Sequence, residues 1–291
     1  LTSESPAETP ESAETPAAAE KTSRAGRNLP ASIAVGVGLI GLVIATLFIQ
    51  KEAFIPVVVI ALGIGVLELT RAFSTARIKI PVAPVLTGGT IMLVGSYWGG
   101  METASVALAL TIIGTLVWRL SDGAEGFVRD SSAGVFVLGY LYLMGSFVVL
   151  MLTEDDGPWR IIAFIVATIA SDIGGYVAGV LFGKHPMAPT ISPKKSWEGF
   201  TGSLIFGIAA GMVTITYALD GDWWVGIILG IAGVVFATLG DLSESLIKRD
   251  LGIKDMGDLL PGHGGLMDRL DSLIAVAPVA WLILHTLVPV T

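Results

Sequence analysis

From Ala31 onward the chain is a succession of apolar runs, separated by short polar joints. In hydrocarbon the backbone must satisfy its own hydrogen bonds, and about 20 apolar residues in a helix do so across a bilayer. Nine segments read this way: roughly 31–50, 53–70, 81–99, 102–120, 131–152, 159–183, 200–219, 222–247 and 270–289. Only 14% of the residues are charged and 53% are hydrophobic, whereas soluble domains carry roughly 25% charge. The expected fold is therefore all-α, a polytopic integral membrane helix bundle of about nine transmembrane helices. The second segment is short and carries Glu68, for which Arg71 at i+3 is the simplest partner. The eighth is long, and its last two turns should emerge into water.

Residues 1–28 are Glu, Pro, Ala, Ser and Thr with almost no large apolar side chain. Such a segment cannot bury enough surface to offset its ordering entropy, so it reads as a disordered tail rather than a secretory signal. Cysteine is absent, which excludes disulfides, thiolate nucleophiles and thiolate-ligated metals.

With the N-terminus inside, fifteen of the 17 basic residues fall on the cytoplasmic side. Only Lys51 and Arg160 fall outside, where the loops carry acid instead. That asymmetry is what the positive-inside rule predicts. Glycines spaced by four, Gly175, Gly179 and Gly183, then Gly226 and Gly230, should let helix backbones approach closely inside the bundle.

Two cytoplasmic loops stand out. In the second, residues 240–271, continuing the eighth helix puts Asp241, Glu244, Ser245 and Lys248 at i, i+3, i+4 and i+7, on one face. Asp268 and Asp271 repeat the i, i+3 spacing where the ninth helix begins. Two helix ends can thus aim carboxylates at one point. Converging oxygen ligands suit Mg²⁺, and no histidine or cysteine cluster competes for a softer metal.

Between these helices lie Lys248, Arg249, Lys254, Arg269 and "PGHGG" (261–265). Gly262, Gly264 and Gly265 tolerate the conformations in which successive amides form an anion nest. Cations, amides and a divalent ion describe a polyphosphate site. His263 is either a turn residue or a phosphate contact. Arg249, Asp250 or Asp255 taken alone reads as a solvated charge that holds topology, and Asp258 as a solvated helix end.

Asp172 lies within the sixth segment, where a carboxylate costs about 2.5–3.5 kcal/mol on insertion scales. A site role is the default for it, and a structural hydrogen bond the bland alternative. In the loop 183–199, Pro193 keeps its predecessor extended and presents Lys194 and Lys195 to anionic lipid or to a substrate phosphate. Trp197 reads as an interfacial anchor.

The stretch "SLIKRDLGIKDMGDLLPGHGGLMDRLD", Ser245 to Asp271, resembles the signature of the phosphatidate cytidylyltransferases, also called CDP-diacylglycerol synthases. "GDLSES" (240–245) and "ISPKKSWEG" (191–199) are similar to two further family blocks, with Ser196 where threonine is usual. Asp172, Tyr176 and "FGK" (182–184) resemble another, although the pair Gly174–Gly175 departs from its pattern.

The resemblance implies that CTP and phosphatidic acid give CDP-diacylglycerol and pyrophosphate for phospholipid biosynthesis. It makes 29–291 a transmembrane catalytic domain, with its site mainly in 171–271, behind a cytoplasmic tail. It implies Mg²⁺ on Asp241 and Asp268, with Asp271, Glu244 and Asp172 as further candidates, and a second cation such as K⁺. Lys248, Arg249, Lys254, His263 and Arg269 become candidate catalytic residues. Lys194, Lys195, Ser245, Gly264 and Gly265 become candidate substrate contacts. A homodimer in a bacterial-type plasma membrane, its site facing the cytoplasm, is implied too, with membrane lipids and no nucleic acid as partners. The alternatives are a CTP-dependent polyprenol or phytol kinase and an ion-coupled transporter working through Asp172. The transporter leaves the 240–271 loop without a role.

Overall fold

A computed structural model describes residues 29–257 and 265–290. The expected tail, 1–28, lies outside the described residues, as do Asp258, Pro261, Gly262, His263 and Gly264. Nine α-helices account for most of the rest: α1 (Leu29–Ile49), α2 (Phe54–Thr75), α3 (Val82–Leu120), α4 (Phe127–Val137), α5 (Met144–Leu152), α6 (Gly157–Phe182), α7 (Trp197–Ala218), α8 (Trp223–Asp250) and α9 (Met267–Leu287). Among the described residues, seven helical stretches are long and apolar enough to cross a membrane, α4 and α5 forming one of them.

The third and fourth expected segments appear as one 39-residue element, α3, broken where Gly100 adopts φ 60° and ψ −159°. Only glycine takes that conformation readily. The two arms fold back on each other: Gly88 abuts the Thr111 side chain, and Gly95 abuts Thr103. In a straight helix positions 88 and 111 would stand roughly 34 Å apart. Helix α2 runs on to Thr75, beyond the expected end at 70, so Glu68 and Arg71 sit within it. A π-helical turn, Leu138–Leu143, joins α4 to α5. It buries Leu138, Leu141 and Tyr142 at the centre of the bundle.

The all-α expectation needs one amendment. The 183–199 joint forms an antiparallel hairpin of β1 (Pro186–Ala188) and β2 (Ser192–Ser196). Ser196, which stands where the family block usually has threonine, caps α7 by accepting the Gly199 amide at 3.1 Å. A threonine hydroxyl would do the same.

Gly226 and Gly230 pack closely as expected, and so does Gly174, which the four-residue spacing did not single out. A Cβ on Gly174 would stand 2.6 Å from the Gly202 carbonyl, and one on Gly230 would stand 2.5 Å from the Ile208 Cα. Backbones of α6, α7 and α8 therefore touch directly.

Hydrogen bonds define the two ends of the bundle. At one, Thr75 on α2 donates to the Leu251 carbonyl beyond α8 (3.3 Å), and Arg249 donates to the Ile191 carbonyl of the hairpin. At the other, Lys51 donates to the Glu154 carbonyl (2.8 Å). There Arg160, 1% exposed, donates to the carbonyls of Leu284 (2.6 Å) and Val288 (3.1 Å) and pairs with Asp156.

Candidate active site

Helix α8 continues to Asp250, so the predicted polar face forms without interruption. Ser245 Oγ donates to Asp241 at 3.4 Å, and Lys248 Nζ reaches Glu244 at 2.5 Å, both one helical turn apart. Helix α9 begins at Met267, so Asp268 and Asp271 lie in its first turns. The two helices approach through Gly240, where a Cβ would stand 2.6 Å from the Asp271 carbonyl.

The carboxylates from these helices form two sets. Asp241, Glu244 and Asp271 each offer an oxygen within 4.8 Å of the others. Glu244 is 1% exposed, and its Oε1 is buried without a hydrogen-bond partner. Asp268 lies apart from that trio. It pairs with Lys248 at 2.9 Å and accepts the amides of Gly265 (2.9 Å) and Met256 (3.1 Å). Lys248 thus bridges the two sets. The Gly265 amide, expected to contact substrate, donates to Asp268.

A cavity of about 460 Å³ opens beside the trio. Its wall combines Asp172 and Tyr176 of α6, Lys194 and Lys195 of the hairpin, Asp241 of α8, and Asp268, Arg269 and Asp271 of α9. Lys195 Nζ pairs with Asp241 at 2.6 Å, so the hairpin leans on α8 over the cavity. Lys194 is exposed, and Asp172 is open to the cavity rather than hidden among packed side chains. Lys254 is exposed beyond the end of α8, and Arg249 turns to the hairpin backbone; neither lines the cavity. His263 and Gly264 fall outside the described residues.

The donor set fits a hard divalent cation. It offers only carboxylate oxygens, from two helices, with one buried oxygen still lacking a partner.

Two features escaped the sequence reading. Glu68 does not pair with Arg71. It is 2% exposed and accepts the amides of Leu266 (2.9 Å) and Met267 (2.8 Å), at the start of α9. Its partners lie about 200 positions away along the chain, far beyond a local pairing rule. Tyr140, on the π-turn, has a buried hydroxyl without a partner and lies in the field of Asp271, Glu244 and Asp241. A π-turn is a frequent mark of functional sites, but nothing local in sequence announces one.

Comparison with known proteins accords with this geometry. The model of the cytidylyltransferase family matches residues 31–287. The phosphatidate cytidylyltransferase of Mycobacterium leprae (strain TN) is 43% identical over 288 residues, 93% of this chain and 91% of that protein. That of Mycobacterium tuberculosis (strain ATCC 25618 / H37Rv) is 42% identical over 297 residues, 98% of this chain and 90% of that protein. A more distant phosphatidate cytidylyltransferase, from Helicobacter pylori (strain ATCC 700392 / 26695), is 29% identical over 239 residues, covering 81% and 85%. The chain therefore belongs to the phosphatidate cytidylyltransferase family.

Proposed function

We propose that this chain transfers the cytidylyl group of CTP to phosphatidic acid. The lipid phosphate attacks the α-phosphorus, the bond to the β-phosphate oxygen breaks, and CDP-diacylglycerol and pyrophosphate leave. The observation that carries this reading is the cavity itself, where Lys194, Lys195 and Arg269 face Asp172, Asp241 and Asp271. Cations to hold phosphates, beside carboxylates to hold a metal, are the parts that transfer at phosphorus requires, since positioning and charge neutralisation do most of the work.

Lys194 and Lys195 receive the lipid phosphate. Arg269 and Lys248 offset the triphosphate charge, with Arg249, Lys254 and His263 as outer contacts. A phosphate monoester is already ionised near neutral pH, so no strong base is needed. Asp241, Glu244 and Asp271 would hold Mg²⁺, with Asp268 and Asp172 nearby. When bound, the ion supplies electrostatic stabilisation of charge developing on phosphate oxygens. Ser245 orients Asp241. A second cation such as K⁺ and a homodimer belong to the same proposal.

The proposed topology has nine crossings, with α3 counted as two, the N-terminus inside and the cavity at the cytoplasmic leaflet of a plasma membrane. The distribution of Lys and Arg supports it.

The test is purified protein in detergent, given labelled CTP and phosphatidic acid, with and without chelator. CDP-diacylglycerol and pyrophosphate that vanish with chelator are expected. Transfer of only the γ-phosphate would establish a lipid kinase, and no CTP consumption at all would refute both.

A further inference from the structure

Glu68 has no part in the proposed chemistry, yet its burial needs a cause. It sits on α2, among apolar neighbours such as Val66 and Leu69, and is 2% exposed. An ionised carboxylate there is costly unless it is fully hydrogen-bonded. Both of its oxygens are engaged: Oε1 accepts the Leu266 amide at 2.9 Å and Oε2 the Met267 amide at 2.8 Å. These are among the amides that a helix N-terminus leaves without intrahelical partners, where a negative charge is favoured. Leu266, the N-cap residue of α9, has no polar side chain with which to cap that end.

The neighbouring glycines are shaped around the same carboxylate. A Cβ on Gly257 would stand 2.6 Å from Glu68 Oε1. One on Gly265 would stand 2.9 Å from Glu68 Oε2 and 2.8 Å from the Gly257 amide nitrogen. Asp268, the next acidic residue along, takes the amides of Met256 and Gly265. Two carboxylates thus gather four backbone amides, from Met256, Gly265, Leu266 and Met267. Asp268 also pairs with Lys248, and Lys248 with Glu244 of the carboxylate trio, so an unbroken chain of contacts runs from Glu68 to that trio.

We infer that Glu68 is a positioning residue of the transferase site: from α2 it fixes where α9 begins, and with it the placing of Asp268, Lys248 and Asp271. The effect on turnover rests on the reaction proposed above, but the clasp does not. Glu68→Ala removes both acceptors, and Glu68→Gln keeps one amide oxygen. Asp130→Asn, which weakens a buried ion pair with Arg119, neither residue lining the cavity, is the control for lost stability alone.

Misplacing groups by an ångström costs up to about a hundredfold in rate. For each variant, kcat per folded molecule, KM for phosphatidic acid and amide exchange at 265–267 are measured. Glu68→Ala should lower kcat by about ten- to a hundredfold, with KM within about twofold because Lys194 and Lys195 stand on the hairpin. It should also lose exchange protection at Leu266 and Met267, and Glu68→Gln should fall between it and wild type. Wild-type kcat in Glu68→Ala overturns the inference. So does unchanged protection at 265–267, or an equal loss of kcat in Asp130→Asn. If Glu68→Ala does not fold, Glu68→Gln decides: a lowered kcat with weakened protection supports the inference, and wild-type values refute it. If wild-type protein makes no CDP-lipid, the proposed reaction has failed, and the exchange measurement still judges the clasp.

Discussion

Lys195, on the β-hairpin between α6 and α7, pairs with Asp241 on α8 across 2.6 Å. It joins the residue proposed to receive a lipid phosphate to one proposed to hold a metal. The hairpin tip is also tied to the far end of α8 by Arg249, which donates to the Ile191 carbonyl. The proposed phosphate grip therefore leans on α8, through Asp241 and Arg249.

Lys195→Ala removes both the phosphate contact and the counter-charge of Asp241. A hydrogen bond to a charged group contributes about 1.5–3 kcal/mol, so kcat/KM for phosphatidic acid should fall by about ten- to a hundredfold. Lys195→Arg should recover part of it. CDP-diacylglycerol formation over a range of lipid concentrations measures both.

Glu244→Gln keeps an acceptor for Lys248 and removes a charge from the trio. The Mg²⁺ concentration for half-maximal activity should rise by at least about tenfold. Titrating metal back into chelator-treated protein reads this directly. An unchanged requirement would place the ion elsewhere.

Asp268→Asn cannot form the ion pair with Lys248, although its amide oxygen still accepts a backbone N–H. Turnover should drop by about a hundredfold or more, with the protein still folded. Wild-type turnover in the purified variant would remove Asp268 from the site.

Arg160→Leu tests the opposite end of the bundle. It leaves Asp156 buried without its cation and frees the carbonyls of Leu284 and Val288. Breaking a buried pair costs about 3–5 kcal/mol, so thermal unfolding in detergent should occur at a clearly lower temperature. Turnover per folded molecule should stay close to wild type, because no cavity residue is touched.

Much of the architecture was legible because hydrocarbon leaves few options. Apolar length marked the helices, and glycine spacing marked close backbone approach inside the bundle, though not which helices would meet. The face bearing Asp241, Glu244, Ser245 and Lys248 followed from helical periodicity alone. What could not be read depended on partners brought together from far apart in sequence. Glu68 has a plausible cation at i+3, yet its real partners are amides on α9. Asp268 and Asp271 share a helical spacing, yet one turns to Lys248 and the other to the trio. The hairpin was missed because its strands have 3 and 5 residues, too short for alternation to show.

The contacts of α6, α7 and α8 through bare backbone carry a consequence for sequence variation. Where Gly174 meets Gly202 and Gly230 meets Ile208, the smallest added side chain would stand 2.5–2.6 Å from the neighbouring main chain. Any such change alters the spacing of whole helices rather than a local fit. Exposed neighbours such as Ile173, Val180 and Ile205 face no such restriction. Mutational tolerance in this half of the molecule should therefore follow a stripe, permissive on the outer surface and nearly closed along the line where main chains meet.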